Sequence, residues 1–423
     1  MGWIERYDCI FFNWYSTYHD LIPGELRRKY IGKNLFVKAY RILKVMAFDA
    51  KRSIRESKSI TIKINANWII VDAVNNLQSI NDIFEANSEL DDLYYFTYSS
   101  RFAHSNSKVT LLNFPDRILY FHKMLFYTML RINRIRNRWD FFLTEYGWYE
   151  AALKFMKRYQ PQSILFTNDH TPINRAMMLA ARTMGIKTGY IQHACVRDDF
   201  GELLMSHAFL DGQDSVDKYA AFGHRFKTKI HLIGMPKLSK YLHLRSLPKQ
   251  LVKIGIAFNT TDDLNEVSAL ILQLQNSGFL VMVRPHPKDR RPFVSMHNIE
   301  IDDASKNNAF YFLGKIDALV AGESAIHLES ILLNKPSFQF DFNKESKIHD
   351  LYGFLRKGLV KKYKLPEDLL SDIYRHNSAP EDVYRKGAYY DVLVDDVNES
   401  LADKKAFELI RETLFKKDPA CAA

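Results

Sequence analysis

Two short stretches carry residue types suited to binding phosphate. Arg284-Pro285-His286-Pro287 closes an apolar run, and its two prolines fix the backbone so that His286 is presented rigidly. A histidine held that way can donate to a phosphate oxygen, and Arg284 can clasp one through two parallel N–H groups. The plainer alternative is a structural turn in which His286 caps neighbouring carbonyls. Further along, Gly322-Glu323-Ser324 opens a helical run containing His327 and Glu329. Gly322 lets the backbone approach a ligand, Ser324 can both cap the helix and donate to an anion, and the first free amides form an anion site. Glu323 stands where a helix dipole favours a carboxylate. Glu329 can accept both hydroxyls of a ribose, whereas His327 faces elsewhere and reads as packing. Arg284, His286, Glu323, Ser324 and Glu329 form the candidate donor-binding set.

A second set can do proton chemistry. Asn168-Asp169-His170 ends one apolar run and Gln192-His193 ends the next. As neighbouring parallel strands the two runs share a lip, where either histidine can act as a general base and Asp169 can orient it. Leu210-Asp211-Gly212-Gln213-Asp214 adds two carboxylates. Asp211 can be base to an acceptor hydroxyl, nucleophile in a double displacement, or only a turn residue before glycine. His193, Asp211 and Asp169 are the catalytic candidates, with Asn168, His170, Gln192 and Asp214 in support.

Strand ends must position all of these groups. Ser163 to Thr167 is a short apolar run of the buried parallel kind, a helix is expected from Pro172 to Met184 with Gly185 as its cap, and Thr188 to His193 is the next strand. Similar runs end at Gly212 and Pro236, and Thr61 to Ile70 reads as an earlier strand. Residues 244–249, polar and basic with Pro248, form a linker. Beyond it the rhythm restarts, with strands expected at 252–258, 279–283, 317–321 and 336–340 and helices at 263–277 and 365–416. The pattern predicts an α/β chain of two doubly wound domains, 1–243 and 250–423, facing a cleft and closed by C-terminal helices.

A length of 423 residues, 47% of them hydrophobic, provides for two packed cores. The net charge of +10 suits an anionic partner, and no basic run with interleaved aromatics resembles a nucleic-acid module, so nucleic acid is not expected. Cys9, Cys195 and Cys421 lie too far apart for a metal or disulfide framework, which fits a reducing compartment. No signal peptide or membrane span is read, and a cytoplasmic protein is expected. Residues 117–147 look like a long helical segment carrying Arg131, Arg134, Arg136 and Arg138. Two readings of it stand side by side: a solvated basic face over a core-facing aromatic stripe, or contact with an anionic membrane surface or polymer at the inner membrane.

Across residues 160–345 the sequence resembles the GT-B-type transferases of bacterial capsule, O-antigen and teichoic-acid assembly. The resemblance rests on Asn168-Asp169, Ile191-Gln192-His193, Arg284-Pro285-His286-Pro287, Gly322-Glu323-Ser324, Glu329 and Pro336. CDP-glycerol glycerophosphotransferases carry Gln-His-Gly and Arg-Pro-His-Pro, but Ala194 follows Gln192-His193 here. In bacterial sialyltransferases a His-Pro pair binds the CMP phosphate, which His286-Pro287 matches, and an acidic-acidic-Gly element supplies the base, which Leu210-Asp211-Gly212 matches except for Leu in place of an acid; Kdo transferases share the general layout. The resemblance implies a metal-independent glycosyltransferase with no cofactor, using a nucleotide sugar as donor and an oligosaccharide or lipid-linked acceptor. A CMP-linked acidic sugar, Kdo or sialic acid, is the first donor expected. A CDP-alditol phosphotransferase and a UDP-sugar 2-epimerase-like enzyme are the alternatives.

Overall fold

The structure is a computed structural model that describes residues 1–12, 34–55, 62–84, 93–99, 102–103, 108–112, 114–135, 138–198, 200–223, 225–293, 299–344 and 349–416. Among these, two parallel sheets organise the chain. The first contains β1 (Asn67–Ile70), β2 (Leu93–Thr97), β3 (Val109–Leu111), β4 (Ser163–Phe166), β5 (Lys187–Ile191), β6 (His207–Leu210) and β7 (Lys229–Leu232), in the order β3-β2-β1-β4-β5-β6-β7. The second contains β8 (Lys253–Phe258), β9 (Leu280–Pro285), β10 (Ile299–Ile301), β11 (Ala318–Ala321), β12 (Ser337–Phe340) and β13 (Lys361–Tyr363), in the order β10-β9-β8-β11-β12-β13. This is the doubly wound α/β pattern expected from the sequence.

Parallel strands covered on both faces need apolar residues at every position, and β4, β11 and β12 are buried throughout. In each sheet the strand order runs one way from β1 or β8 and the other way from β4 or β11. That reversal opens a crevice at the carboxyl ends of the two central strands, where ligands of open α/β sheets bind. Asp72 and Thr167-Asn168-Asp169 follow the first pair of strands, and Asn259 and Gly322 follow the second.

The helices fall where caps and periodicity place them. Pro172–Thr183 starts with proline in its first turn, and Gly185, at φ +72°, takes the left-handed turn after it. Leu264–Asn276 starts from Asp263, whose carboxylate accepts the Asn265 amide. The segment expected as one long helix over 117–147 is broken instead into Pro115–Tyr120, Phe121–Leu130, Ile132–Ile135 and Trp139–Thr144; of its arginines, Arg136 lies outside the described residues. Strand β1 starts at Asn67, after Asn65 turns the chain at φ +61°, and Thr61 also lies outside the described residues.

The end of the chain crosses back. Ala406, Phe407, Ile410, Leu414 and Phe415, counted with the C-terminal domain by sequence, fill a face of the first sheet made by Ile69, Leu165, Ile191 and Phe209. On the way Tyr390 and Asp391 pass between the ends of β6 and β7. A side-chain carbon on Gly212 would sit 2.5 Å from the Tyr390 backbone, and one on Gly234 would sit 2.8 Å from Asp391 Oδ1. The Val392 amide donates to the Asp211 carbonyl at 3.0 Å, which ties this strap to β6. Arg245 of the linker grips Glu399 through two N–H groups, at 2.7 and 2.5 Å.

Candidate active site

At the carboxyl edge of the first sheet lies a small, partly open cavity. Its polar lining includes Asn76, Thr167, Gln192, His193, Asp211 and Lys237, over an apolar floor that includes Ile80, Ile83 and Ile191. Gln192 accepts the Asp211 amide at 3.1 Å, which locks the ends of β5 and β6 together. Asn76 donates to the Thr167 carbonyl at 3.0 Å, fixing helix Val74–Phe84 against β4.

His193 is the group in this lining best placed for proton transfer. Its Nδ1 is buried without a hydrogen-bond partner. Burial, helped by the His170 and Lys237 charges, pushes the ring's pKa down to about 4, so it is neutral at neutral pH. Asp211 behaves in the opposite sense. Burial and the neighbouring Asp391 push its carboxyl well above the usual range against the pull of Lys237.

Asp169 does not join that cavity. Its Oδ2 accepts the Tyr219 hydroxyl at 2.6 Å, and its Oδ1 faces His170 Nδ1 at 3.5 Å. Burial would raise its pKa, but His170, Tyr219 and Arg175 outweigh that and hold it low. Its orienting role is therefore toward His170, whose ring stacks on Phe200 with centroids 4.7 Å apart. Asn168 Oδ1 accepts the His170 and Thr171 amides at 3.0 and 3.2 Å, starting the next helix. Asp214 pairs with Lys218 at 2.7 Å, and Lys218 also donates to the Val196 and Tyr352 carbonyls. That arrangement is a clamp between the two halves of the chain, with no group left over for chemistry.

The donor-side candidates divide in the same way. Arg284 is buried, forms an ion pair with Asp302 and donates to the Asn307 carbonyl at 2.9 Å. The bidentate phosphate clasp expected of it is thus replaced by an internal one, because a charge this buried needs a partner inside the fold. His286 stays exposed. Its Nδ1 accepts the Lys288 amide at 3.1 Å, which leaves the proton of the neutral ring on Nε2. The partly covered ring and the Lys288 charge lower its pKa.

Gly322 makes room for a side chain and not for a ligand, since a carbon added there would lie 2.8 Å from Asp262 Oδ1. Burial pushes the Asp262 pKa up to about 7. Glu323 accepts from Gln339 at 3.1 Å, and burial raises its pKa. Ser324 makes a long contact, 3.4 Å, to the Ile326 amide. The helix that follows, Ile326–Leu332, has seven residues, too few for the anion site its sequence position promised. His327 is a packing residue, with one ring nitrogen 2.7 Å from Ser337 Oγ and the other 2.8 Å from the Gly322 carbonyl.

Glu329 meets Lys237. The Lys237 ammonium lies 2.5 Å from Glu329 Oε1, joining the cavity on the first sheet to the donor-side helix of the second. Burial disfavours the lysine's charge, but the ion pair with Glu329 outweighs it and raises the lysine's pKa.

No protein-family model and no curated protein matches the sequence. Among solved structures, the wall teichoic acid polymerase TagF superposes with a TM-score of 0.54 at 11% identity, over 89% of this chain and 97% of that one. The chain has a GT-B fold. A UDP-GlcNAc 2-epimerase from Neisseria meningitidis bound to UDP-GlcNAc gives 0.52 at 11% identity, over 82% and 99% of the two chains. The glycotransferase of kitacinnamycin gives 0.51 at 11%, over 83% and 99%.

Several groups at the lips of this GT-B fold escaped the sequence reading. Asp72 follows the apolar run ending β1; its Oδ2 accepts from Asn174 at 2.7 Å, and burial, opposed by hydrogen bonds from Tyr98 and Asn174, lifts its pKa to about 6. Applying the strand-end rule to Trp68-Ile69-Ile70-Val71 would have found it. Lys237 directly follows Gly234-Met235-Pro236, where the reading stopped one residue short.

Proposed function

We propose that the protein is a glycosyltransferase that moves a sugar from a nucleotide donor onto a growing bacterial surface polysaccharide. CMP-linked Kdo or sialic acid is the first donor to try. The reading is carried by one observation: neutral His193, with a bare Nδ1, shares a cavity with Asp211 and Lys237, and Lys237 holds the donor-side Glu329. His193 takes the proton of the acceptor hydroxyl as its oxygen attacks the anomeric carbon. The bond from that carbon to the nucleotide phosphate breaks, and the charge left on phosphate is met by His286 Nε2–H and the Ser324 hydroxyl. Asp211, whose carboxyl burial pushes upward, serves in this reading as a hydrogen-bonding neighbour of the acceptor and not as base or nucleophile.

The acceptor in this proposal is an oligosaccharide or a lipid-linked glycan, met at the cytoplasmic face of the inner membrane. Metal independence also belongs to it: rates unchanged in EDTA support that point, and a loss restored by magnesium sinks it. A second reading, transfer of a phosphate-linked polyol from a CDP-alditol, is favoured by the extent of the likeness to TagF.

A thermal-shift panel with CMP, CDP, UDP, GDP and ADP separates these readings, because a ligand of the folded state raises the melting temperature by mass action. Stabilisation by CMP supports the first reading and by CDP the second. UDP, together with turnover of a UDP-sugar in the absence of acceptor, replaces both with an epimerase. No shift with any nucleotide at millimolar concentration removes the donor site.

A further inference from the structure

Two helices on the first half of the chain turn their apolar residues outward. On Leu35–Arg55, Phe36, Tyr40 and Leu43 recur at the helical period and are 81%, 65% and 64% exposed, with Leu35, Val37 and Phe48 beside them. A surface helix ordinarily shows polar residues on that side. Here the inward positions include Lys38 and Asp49 with Ile42, and the carboxylate of Asp49 is taken by Arg117 and Tyr146. On Phe121–Leu130 the same inversion appears. Met124 and Tyr127 are buried while Leu125, Phe126, Met129 and Leu130 are exposed, and exposed Ile132 follows.

The two helices share one base, since both pack on Pro115–Tyr120 and on Trp139–Thr144. Leu119 of that base is itself exposed. The apolar residues therefore gather on one side of the molecule, well beyond the scatter of single exposed hydrophobics found on any protein.

Charge selects the occupant. Over residues 35–55 and 117–135 the sole acidic residue is Asp49, which is turned inward. Lys44, Lys51 and Arg134 are exposed on this side. A second copy of the chain would bring like charges together across the contact, whereas a negatively charged bilayer complements them. No helix among the described residues is long and apolar enough to cross a membrane, which leaves the mode of an amphipathic helix lying in the interface.

We propose that helices Leu35–Arg55 and Phe121–Leu130 form the face by which the protein lies on an anionic lipid bilayer, with Phe36, Tyr40, Leu43, Phe126 and Met129 inserted among the acyl chains and Lys44 and Lys51 at the headgroups. This surface is independent of the transferase reading, because it is built from residues outside the cleft.

The test is co-sedimentation of the full chain with phosphatidylcholine vesicles, with and without phosphatidylglycerol. The wild type should pellet with the anionic vesicles and release as salt rises. Lys44→Glu/Lys51→Glu should weaken binding by about tenfold or more at low salt, given roughly a factor of five per basic residue near a charged surface. Phe36→Ser/Tyr40→Ser/Met129→Ser should abolish it while leaving the melting temperature within a few degrees, since these three side chains are largely exposed. Wild-type protein that stays in the supernatant with anionic vesicles at low salt overturns the proposal. So does a dimer in solution that the serine variant dissociates, which would assign the face to a second copy.

Discussion

Lys237 Nζ and Glu329 Oε1 lie 2.5 Å apart across the meeting of the two sheets, so the carboxylate proposed as a ribose ligand already has a partner. A nucleotide must compete with Lys237 for it. In Lys237→Met that competition disappears, and affinity for a ribonucleotide should rise several-fold while affinity for its 2′,3′-dideoxy counterpart stays level. Titration calorimetry on both ligands checks this. Equal weakening of the two would mean that Lys237 binds phosphate, and Glu329→Gln with an undiminished ribose preference would remove Glu329 from the donor site.

Replacing His193 by asparagine should lower kcat by about a hundredfold or more, the usual contribution of a positioned base, with nucleotide affinity unchanged. Because the ring's pKa is about 4, the rate should hold steady down through pH 6 and fall only on approach to that value, as the base becomes protonated. An activity that halves near pH 6.5 would point to a histidine with an ordinary pKa instead.

Arg284→Met should cost stability and not binding. Removing the guanidinium leaves Asp302 buried without its countercharge, a loss of roughly 3–5 kcal/mol. Denaturant unfolding measures it. A folded Arg284→Met protein that has lost nucleotide affinity at full stability would restore the arginine to the phosphate site.

Asp262 supplies a pH signature in stability. The carboxyl titrates near 3.8 in the unfolded chain and near 7 in the fold, so between those values the folded state binds more protons. Its contribution is fully present below about pH 4 and is lost as pH rises toward 7. Asp262→Asn should remove that slope, gaining on the parent by up to about 1.4 kcal/mol per pH unit across the window. Parallel stability curves for variant and parent between pH 5 and 7 would refute it.

The second half of the chain was legible because its strands are continuous apolar runs punctuated by Pro and Gly. Residues 253–258, 280–285, 318–321 and 337–340 all sit where the pattern put them. Edge strands were missed for a physical reason. Lys361-Lys362-Tyr363 and Ile299-Glu300-Ile301 pair on one side only and carry the charge that edges tolerate, so they look like loops. At the site, strand-end residues were found but their partners were not. Nothing in the order of residues says that Arg284 will meet Asp302 or that Glu329 will meet Lys237, because both pairings are made by packing between separate elements.

The strap formed by Tyr390 and Asp391 bears on how the protein is made. A ribosome completes every strand of the first sheet long before it reaches Phe407, Ile410 and Leu414, the residues that cover one face of that sheet. Until then Ile69, Leu165, Ile191 and Phe209 have only part of their cover, so the half synthesised first is finished last. Until the last residues of the chain dock, that apolar face stays open.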